Sequence, residues 1–366
     1  MSSVVQPEKL PRGPIMADVA AFSLTQTERQ RLLHPAIGGV ILFRRNYQSR
    51  AQLIQLVTEI KALRSPELIV AVDHEGGRVQ RFISEFTPLP AMRKLGCCWD
   101  RHGAIVAEKM AQTIGWVLAT ELRACGIDLS FTPILDLDWG ECAVIGNRSF
   151  HAQPAVVSAL AIALQNGLKM GGMASCGKHF PGHGAASGDS HVMMPKDKRS
   201  WIQLWEDDIL PFNDLIHQGM AAVMPAHVVY PQVDPDEPAG FSSIWLKQIL
   251  RDKLQFSGVI FSDDLTMEGA SMAGDIRART ENAFSAGCDI ALICNKPDWV
   301  DRVLEDFIWP ENQYLAQRWE MIAGQGEVAE FRAMLQKPEF QSAQKLVANL
   351  ASAEDDLQGV PVGEAY

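Results

Sequence analysis

The stretch from Lys178 to His191 concentrates residues that can move a proton. It holds three histidines, a lysine and an aspartate, and histidine is the side chain whose pKa lies nearest to neutrality. Asp189 stands two residues before His191, and residues i and i+2 of an extended segment point the same way. The Asp189 carboxylate can therefore orient the His191 imidazole and favour its protonated form. We predict that His191 is a proton donor and Asp189 its orienting partner.

A second group of charged residues lies in the segment 72–81, which reads Val-Asp-His-Glu-Gly-Gly-Arg-Val-Gln-Arg. Carboxylates and guanidinium groups suit a polyhydroxylated ligand, because a carboxylate accepts hydrogen bonds from two hydroxyls and arginine offers a planar fork of donors. We expect Asp73 and Arg81 to contact such a ligand. For Glu75 and Arg78, an ion pair with each other is an equally good interpretation.

A third feature is the pair of carboxylates Asp263 and Asp264, which ends the apolar stretch 258–261 and its following serine. Neighbouring residues of a strand face opposite ways, so one carboxylate should face the site and the other a helix N-terminus. We expect Asp263 to point inward. In a sugar site such a carboxylate can attack the anomeric carbon and form a glycosyl-enzyme.

The elements that must position these residues are short apolar stretches alternating with amphipathic ones. The predicted strands are 14–17, 39–43, 68–72, 127–135, 173–177, 221–224, 258–261 and 289–293. Between them, stretches such as 50–63 and 104–125 carry apolar residues at three- and four-residue spacing, which indicates helices. Alternating strands and helices predict a parallel sheet, and eight such units predict an α/β fold with a single closed (β/α)8 TIM barrel.

Polar residues follow the predicted strands at their C-terminal ends. They are Asp18, Arg44, Asn46, Asp73, Asp136, Asp138, Lys178, His179, His227, Asp263, Asp264 and Asn295. A barrel places all of these strand ends on one face, so their side chains should converge on one site. For Asp264 and Asn295 we favour a structural role, as caps of the next helix.

Length and composition set the remaining expectations. The chain has 366 residues, 47% apolar and 21% charged, which suits a folded globular protein. We expect one domain over 1–366, with closing helices from about 299 and a frayed tail after 355. The formal net charge of -11 argues against nucleic acid and anionic membranes as partners, so we expect a small-molecule substrate. We also expect a monomer.

The N-terminus and the cysteines indicate the compartment. The first residues lack the basic region and apolar core of a secretory signal, and no apolar run approaches the length of a membrane span. A cytoplasmic location is therefore predicted. The seven cysteines include no Cys-x-x-Cys pair, so neither a disulfide framework nor a zinc ribbon is expected.

A metal site is the alternative interpretation of the histidines. His179, His183 and His191, together with Asp189, form a plausible zinc set, which would make the protein a metal-dependent hydrolase. However, Pro181 and Gly182 separate the first two histidines and Gly184 follows them, which breaks any helix that would present them on one face. We therefore expect no metal.

Five motifs together resemble a known family. They are Asp-x-Glu-Gly-Gly-Arg-Val-x-Arg at 73–81, Ile-Gly-Asn-Arg-Ser-Phe at 145–150, Lys-His-Phe-Pro-Gly-His-Gly at 178–184, Asp-Ser-His at 189–191 and Ser-Asp-Asp-Leu-x-Met-x-Gly at 262–269. In this order, the chain from residue 13 to about 295 resembles the bacterial β-N-acetylglucosaminidases of glycoside hydrolase family 3, specifically the cytoplasmic enzyme of cell-wall recycling.

The resemblance implies a retaining mechanism with Asp263 as nucleophile and His191 with Asp189 as the acid/base dyad. It also implies a set of residues that bind the terminal N-acetylglucosamine, namely Asp73, Arg81, Arg148, Lys178 and His179. The implied substrate is N-acetylglucosaminyl-β-1,4-anhydro-N-acetylmuramic acid, with or without its stem peptide, and no cofactor is implied. His74 stands where the family leads us to expect glutamine, which concerns the packing behind the site.

A non-catalytic barrel that binds muropeptides is a third interpretation of the sequence. A sensor of this kind has no need of a nucleophile and a proton donor. The joint presence of Asp263, Asp189 and His191 argues against it.

Overall fold

The computed structural model describes residues 8–186, 195–306, 308–309 and 311–353. Its centre is an eight-stranded parallel sheet. The strands are β1 (Ile15–Asp18), β2 (Ile37–Leu42), β3 (Ile69–Val72), β4 (Leu129–Ser130), β5 (Cys176–Phe180), β6 (Ala222–Pro225), β7 (Val259–Asp264) and β8 (Ile290–Ile293). They are ordered β4-β3-β2-β1-β8-β7-β6-β5. Parallel bridges from Leu129 to Ala174 and from Ile134 to Lys178 join the two outer strands, so the sheet closes into the predicted (β/α)8 barrel.

The predicted strands match the observed ones to within two residues except at β4, β5 and β7, the last of which runs on to Asp264 beyond the predicted end at 261. Strand β4 is much shorter than the predicted 127–135, because the chain meets Pro133, which has no N–H to donate to a neighbouring strand. Strand β5 begins three residues later than predicted, since the Met173 N–H still donates to Leu168 O at the end of a helix. Lys178 and His179 therefore lie within β5 and not beyond its end.

Helices cover the outside of the barrel. They are α1 (Gln26–Leu32), α2 (Arg50–Lys61), α3 (Arg93–His102), α4 (Ala104–Ala124), α5 (Pro154–Met170), α6 (Trp201–Gln203), α7 (Ile209–His217), α8 (Ile276–Ala286), α9 (Pro297–Asp306), α10 (Leu315–Ile322), α11 (Val328–Met334) and α12 (Pro338–Ser352). A π-helical segment, Leu204–Asp208, joins α6 to α7, and a second one, Ile244–Lys253, lies between β6 and β7. Three short strand pairs lie outside the barrel sheet, Glu8–Lys9 with Arg64–Ser65, His74–Gly76 with Val79–Gln80, and Val229–Tyr230 with Asp234–Pro238. Short 3-10 helices are formed by Arg44–Asn46, Gly146–Arg148, Ala239–Phe241 and Glu268–Ala273.

The barrel interior is packed with apolar side chains, among them Phe131 and Phe261 in edge-to-face contact. Helix α10 closes the N-terminal end of the barrel, where Trp319 donates to Gly13 O at 3.1 Å. A Cβ atom at Gly38 would lie 2.4 Å from the Trp319 ring, so only glycine fits there. Because this end is filled, the opposite face, formed by the strand C-termini, is where a ligand can enter.

The closing helices expected from about residue 299 are present as α9 to α12, and the tail after 355 lies outside the described residues. Within those residues, none of the helices combines the length and the apolar character that crossing a membrane requires.

Candidate active site

Lys178 is the centre of a buried ionic cluster at the C-terminal face. Strand β5 delivers its Nζ atom to within 2.7 Å of Asp73 Oδ1 and 2.7 Å of Glu75 Oε1, two carboxylates that follow β3. Burial alone would lower the pKa of Lys178, but the two carboxylates outweigh it and raise the pKa. Lys178 is therefore a cation in the folded protein.

Arg148 extends the cluster from the loop between β4 and α5. It sits at the end of the 3-10 turn Gly146–Arg148, and its Nε and Nη2 atoms each lie 2.9 Å from an oxygen of Glu75. Burial would raise the pKa of Glu75, but Arg148 and Lys178 hold it well below its usual range. Such a bidentate pair fixes the plane of the guanidinium as well as its position.

The ion pair between Glu75 and Arg78, one of the two interpretations left open by the sequence, does not form. Arg78 instead donates to main-chain carbonyls of the 143–145 loop, with its Nη2 atom 2.5 Å from Val144 O. Glu75 lies in the cluster itself, where it orients two of the predicted sugar-binding residues, Arg148 and Lys178. The signal was present in the sequence, because Glu75 lies two residues from Asp73 on the same face of an extended segment.

Asp73 and Arg81 lie on the outer side of this cluster. Arg81 Nη2 is 3.6 Å from Asp73 Oδ2, and both side chains keep about a fifth of their surface exposed. The pKa of Asp73 is lowered, because Lys178 and Arg81 outweigh the effect of burial. Asp73 is thus an anion, and both side chains keep an exposed edge at the C-terminal face. Their contact with a polyhydroxylated ligand stays a prediction.

Asp136 organises the histidines. One of its oxygens lies 2.7 Å from His179 Nδ1, and the carboxylate also accepts the backbone N–H groups of His179 and His183, the latter at 2.7 Å. Burial would raise the pKa of Asp136, but His179 and His183 lower it. The sequence placed Asp136 only among the carboxylates at the strand ends. Its role in holding both histidines depends on the path of the chain after β5.

Asp263 ends β7 on the same face. Its Oδ1 atom accepts the backbone N–H of Asp264 at 2.8 Å, and the side chain is half-buried. Asp264 accepts from both Thr266 N and Thr266 Oγ1 at 2.9 Å and from Cys294 N at 3.2 Å. Asp264 therefore has the structural contacts we expected, but it caps a turn and a neighbouring strand instead of a helix. Its burial raises its pKa to about 7.

His227, at the end of β6, supports the same strand end. Its Nε2 atom lies 3.3 Å from Asp264 O, and its ring stacks on Phe241 at 5.3 Å. Burial lowers the pKa of His227, so the ring is neutral and can donate from Nε2.

Asn295 also differs from the helix cap we expected. Its backbone N–H donates to Asp18 Oδ2 at 2.8 Å, and its side-chain oxygen accepts from Arg45 Nη1 at 2.8 Å.

The two residues of the predicted dyad, Asp189 and His191, lie outside the described residues. Within the described ranges, no group of three histidine, cysteine, aspartate or glutamate side chains is placed to hold a metal ion. His179 and His183 are engaged separately, with Asp136 and with Cys142.

His74 packs behind the site, as its position next to Asp73 in the sequence predicted. The ring lies 5.7 Å from the rings of Phe82 and Phe86 and is almost completely buried. This burial lowers the pKa of His74 to about 3, so the imidazole is neutral. An imidazole thus fills an aromatic pocket on the face of the segment opposite the ionic cluster.

The fold and this site define a class of protein. A closed (β/α)8 barrel with charged side chains gathered at its C-terminal face is the architecture of a barrel enzyme. The carboxylates and basic groups of the cluster suit a polar, hydroxyl-rich substrate.

Comparison with known proteins gives the family. The model of the glycosyl hydrolase family 3 N-terminal domain matches residues 13–319, and the chain belongs to this family. The β-hexosaminidase of Neisseria meningitidis serogroup A is 64% identical over 357 residues, which is 98% of this chain and 99% of that protein.

Solved structures agree. NagZ from Neisseria gonorrhoeae in complex with N-trifluoroacetyl-D-glucosamine has a TM-score of 0.91 and 61% identity, and the match covers 94% of this chain and 100% of that one. Another structure of the gonococcal protein, in complex with zinc ion, has a TM-score of 0.90 and 61% identity over the same shares. The chain is thus a glycoside hydrolase of the β-N-acetylhexosaminidase type.

Proposed function

We propose that the protein is an exo-acting, retaining enzyme that removes terminal N-acetylglucosamine from β-1,4-linked anhydro-N-acetylmuramic acid muropeptides in cell-wall recycling. The observation that carries the proposal is the placement of Asp263 on the same barrel face as the Lys178 cluster. The proposal includes a cytoplasmic location, a single domain over 1–366, action as a monomer and no cofactor.

The ionic cluster would bind the terminal sugar. Asp73 and Arg81 have exposed edges that can accept from and donate to hydroxyl groups. His179 is held by Asp136 in one orientation, and Arg148 by Glu75. Because the protein fixes these side chains before the ligand arrives, little rotamer entropy is lost on binding.

Asp263 would then act as the nucleophile. One carboxylate oxygen attacks the anomeric carbon while the glycosidic bond breaks, and the leaving oxygen takes a proton from His191, oriented by Asp189. In the second step water attacks the anomeric carbon of the glycosyl-enzyme and gives a proton to the now neutral His191. The bond between this carbon and Asp263 breaks, which restores the Asp263 carboxylate. Two inversions at the anomeric carbon retain its configuration.

A histidine suits this second step for an electrostatic reason. After donating its proton His191 is neutral, so it adds no negative charge beside the incoming nucleophile. An aspartate or glutamate in the same role would be an anion at that moment and would repel an anionic nucleophile.

The experiment that tests the mechanism follows a chromogenic N-acetyl-β-glucosaminide by NMR. We expect the β-anomer as the first product and labelling of Asp263 by a 2-fluoro sugar. Asp263→Asn should stay folded and lose several powers of ten in turnover. Asp264→Asn is the control, because it makes the same change at the neighbouring carboxylate, and this variant should still be labelled by the 2-fluoro sugar on Asp263. A label on Asp264, or an Asp263→Asn variant within about tenfold of wild type, would show that Asp263 is not the nucleophile.

The substrate is tested separately by comparing disaccharides. The enzyme should release N-acetylglucosamine from the anhydro-N-acetylmuramic acid disaccharide, with and without stem peptide. The control is a β-1,4-linked N-acetylglucosamine disaccharide, which presents the same terminal sugar. If kcat/KM is no higher for the muramic disaccharide than for the control, the proposed substrate is wrong, while the glycosidase mechanism stands.

A further inference from the structure

Cys142 and His183 form a pair that the mechanism does not use. Cys142 lies in the loop between β4 and α5, and its Sγ atom is 3.4 Å from His183 Nδ1. The His183 backbone N–H is fixed by Asp136 at 2.7 Å, so the imidazole has a defined place opposite the sulfur. A thiol held against an imidazole in this way can lose its proton to the ring.

The charged groups around the pair favour the thiolate. Burial would raise the pKa of Cys142, but His183 and the backbone N–H groups of residues 144 and 145 lower it overall. His183 responds in the opposite sense: burial would lower its pKa, but Cys142 and Asp136 raise it. The Arg78 guanidinium, donating to carbonyls of the same loop, is a further cation near the sulfur.

The other cysteines have different surroundings. Burial raises the pKa of Cys125, Cys176 and Cys288 to about 12, and it raises the pKa of Cys98 and Cys294 as well. Cys97 lies half-buried on helix α3. Cys142 keeps 8% of its surface exposed, and both of its sequence neighbours are exposed. Because thiolate character controls cysteine reactivity, Cys142 should react before the deeper thiols.

The loop that carries Cys142 also positions a sugar-binding residue. The Cys142 carbonyl accepts from Ile145 N at 3.1 Å and Gly146 N at 3.0 Å, which forms the turn leading to Arg148. Arg148 Nη1 then donates to Val144 O at 3.1 Å and presents its other atoms to Glu75. A group added to Cys142 would have to displace either this turn or His183.

We propose that Cys142 is a modification site at which low-molecular-weight disulfides reversibly inhibit the enzyme. The thiolate attacks one sulfur of the disulfide, a new S–S bond forms to Cys142, and the original S–S bond breaks. The second half leaves as a thiolate and takes a proton, which His183 can supply. The disulfide that the Cys142 thiolate attacks is the only oxidant in this step, and an added thiol reverses the exchange. The inhibition, but not the exchange itself, rests on the proposed sugar-binding role of Arg148.

The exchange is measured first by mass, without reference to turnover. The full-length protein is treated with 2-hydroxyethyl disulfide over a range of pH, and peptide mapping follows each cysteine. We expect Cys142 to be labelled fastest at neutral pH, and its labelling rate should reach half of its maximum below the ordinary cysteine pKa of about 8.5. His183→Asn should slow this labelling by about tenfold, equivalent to about one pKa unit. Equal rates at Cys97 and Cys142, or no effect of His183→Asn, would overturn the proposal.

Hydrolysis of an aryl N-acetyl-β-glucosaminide is the second measurement. Labelling should lower kcat/KM on the order of 10- to 100-fold, the scale of a misplacement of about 1 Å in a site, and added thiol should restore it. Cys142→Ser should keep its activity and become insensitive to the disulfide, whereas Cys97→Ser should remain sensitive. A fully labelled Cys142 with unchanged kcat/KM would contradict the inhibition. If the protein cleaves no glucosaminide at all, the proposed function fails, and the labelling rates still decide the reactivity of Cys142.

Discussion

Replacing Glu75 by glutamine tests the ionic cluster most directly. Glu75 has only 2% of its side chain exposed and faces two cations, Arg148 through two contacts of 2.9 Å and Lys178 through one of 2.7 Å. Glutamine keeps the shape of the side chain and one acceptor oxygen. It removes the negative charge. Lys178 keeps its contact with Asp73, whereas Arg148 loses the charge of the carboxylate it is paired with.

The expected cost is large for a single substitution. Removing one partner of a buried ion pair costs about 3–5 kcal/mol, because the remaining charge is left without compensation. Since glutamine retains an acceptor, we expect the lower end, about 3 kcal/mol in the free energy of unfolding. Urea unfolding at pH 7 should therefore show a lower midpoint with an unchanged slope.

The pH dependence separates a charge effect from a packing effect. The pKa of Glu75 is lower in the folded protein than in the unfolded chain, so its stabilisation is present above the unfolded value of about 4.3 and is lost as the pH falls. The difference in the free energy of unfolding between wild type and Glu75→Gln should therefore become smaller as the pH falls.

Glu121 is the matched control for this experiment. It is equally buried, but it faces a single cation, Arg50, at 3.4 Å and otherwise accepts from Thr87 and Gln344. Burial outweighs these contacts and raises its pKa. A raised pKa stabilises the folded protein at low pH and loses this effect as the pH rises, so Glu121→Gln should show the opposite trend. The reasoning is refuted if Glu75→Gln costs less than about 1 kcal/mol, or if both variants give the same pH profile.

Three further predictions concern the dyad, metal and His74. With an aryl glycoside, whose phenol leaves largely unaided, His191→Ala should slow mainly hydrolysis of the glycosyl-enzyme, and azide should rescue turnover. With a disaccharide, the same variant should slow formation of the glycosyl-enzyme more strongly. Asp189→Ala should follow the same pattern more mildly. Equal harm to both substrates without rescue would place the proton donor elsewhere, with His183 next. Dialysis against a strong chelator should leave activity and stability unchanged, and loss that zinc restores would contradict the mechanism. His74→Gln should make stability less sensitive to acid below about pH 6.5, because the folded imidazole resists protonation down to about pH 3; thermal unfolding across this range checks it.

The barrel could be predicted because its pattern is repeated along the chain. Eight apolar stretches with helix-period spacing between them indicate the strands without any long-range information. The error at β5 has a local physical cause: the small apolar residues from 173 onward suit a strand, but the first of them still hydrogen-bonds to helix α5. The shortening of β4 at Pro133 was visible in the sequence and should have been expected.

The site was predicted less completely than the fold. Strand ends predicted that Asp73, Lys178 and His179 share one face, because the ends of parallel barrel strands meet there, and residue type added Arg81. The structure brings Asp73, Lys178 and Arg81 together, while their contact with a ligand stays a prediction. The sequence could not tell which charged residues hold these side chains in place. Glu75 was as well explained by an ion pair with Arg78, and only the three-dimensional path of the 143–148 loop places Arg148 against it.

The site has buried charged groups, Glu75 and Asp136, and partly exposed ones, Asp73 and Arg81, and their burial explains why it needs both. In the proposed function the ligand is a neutral sugar without charge of its own, so the protein must balance the cations proposed to bind its hydroxyls. Glu75 and Asp136 provide this balance from inside, where they are almost inaccessible and cannot compete for the ligand. Asp73 and Arg81 keep an exposed edge. The inner carboxylates therefore act by fixing Arg148, Lys178 and His179, and their loss should disturb binding even though no hydroxyl needs to touch them.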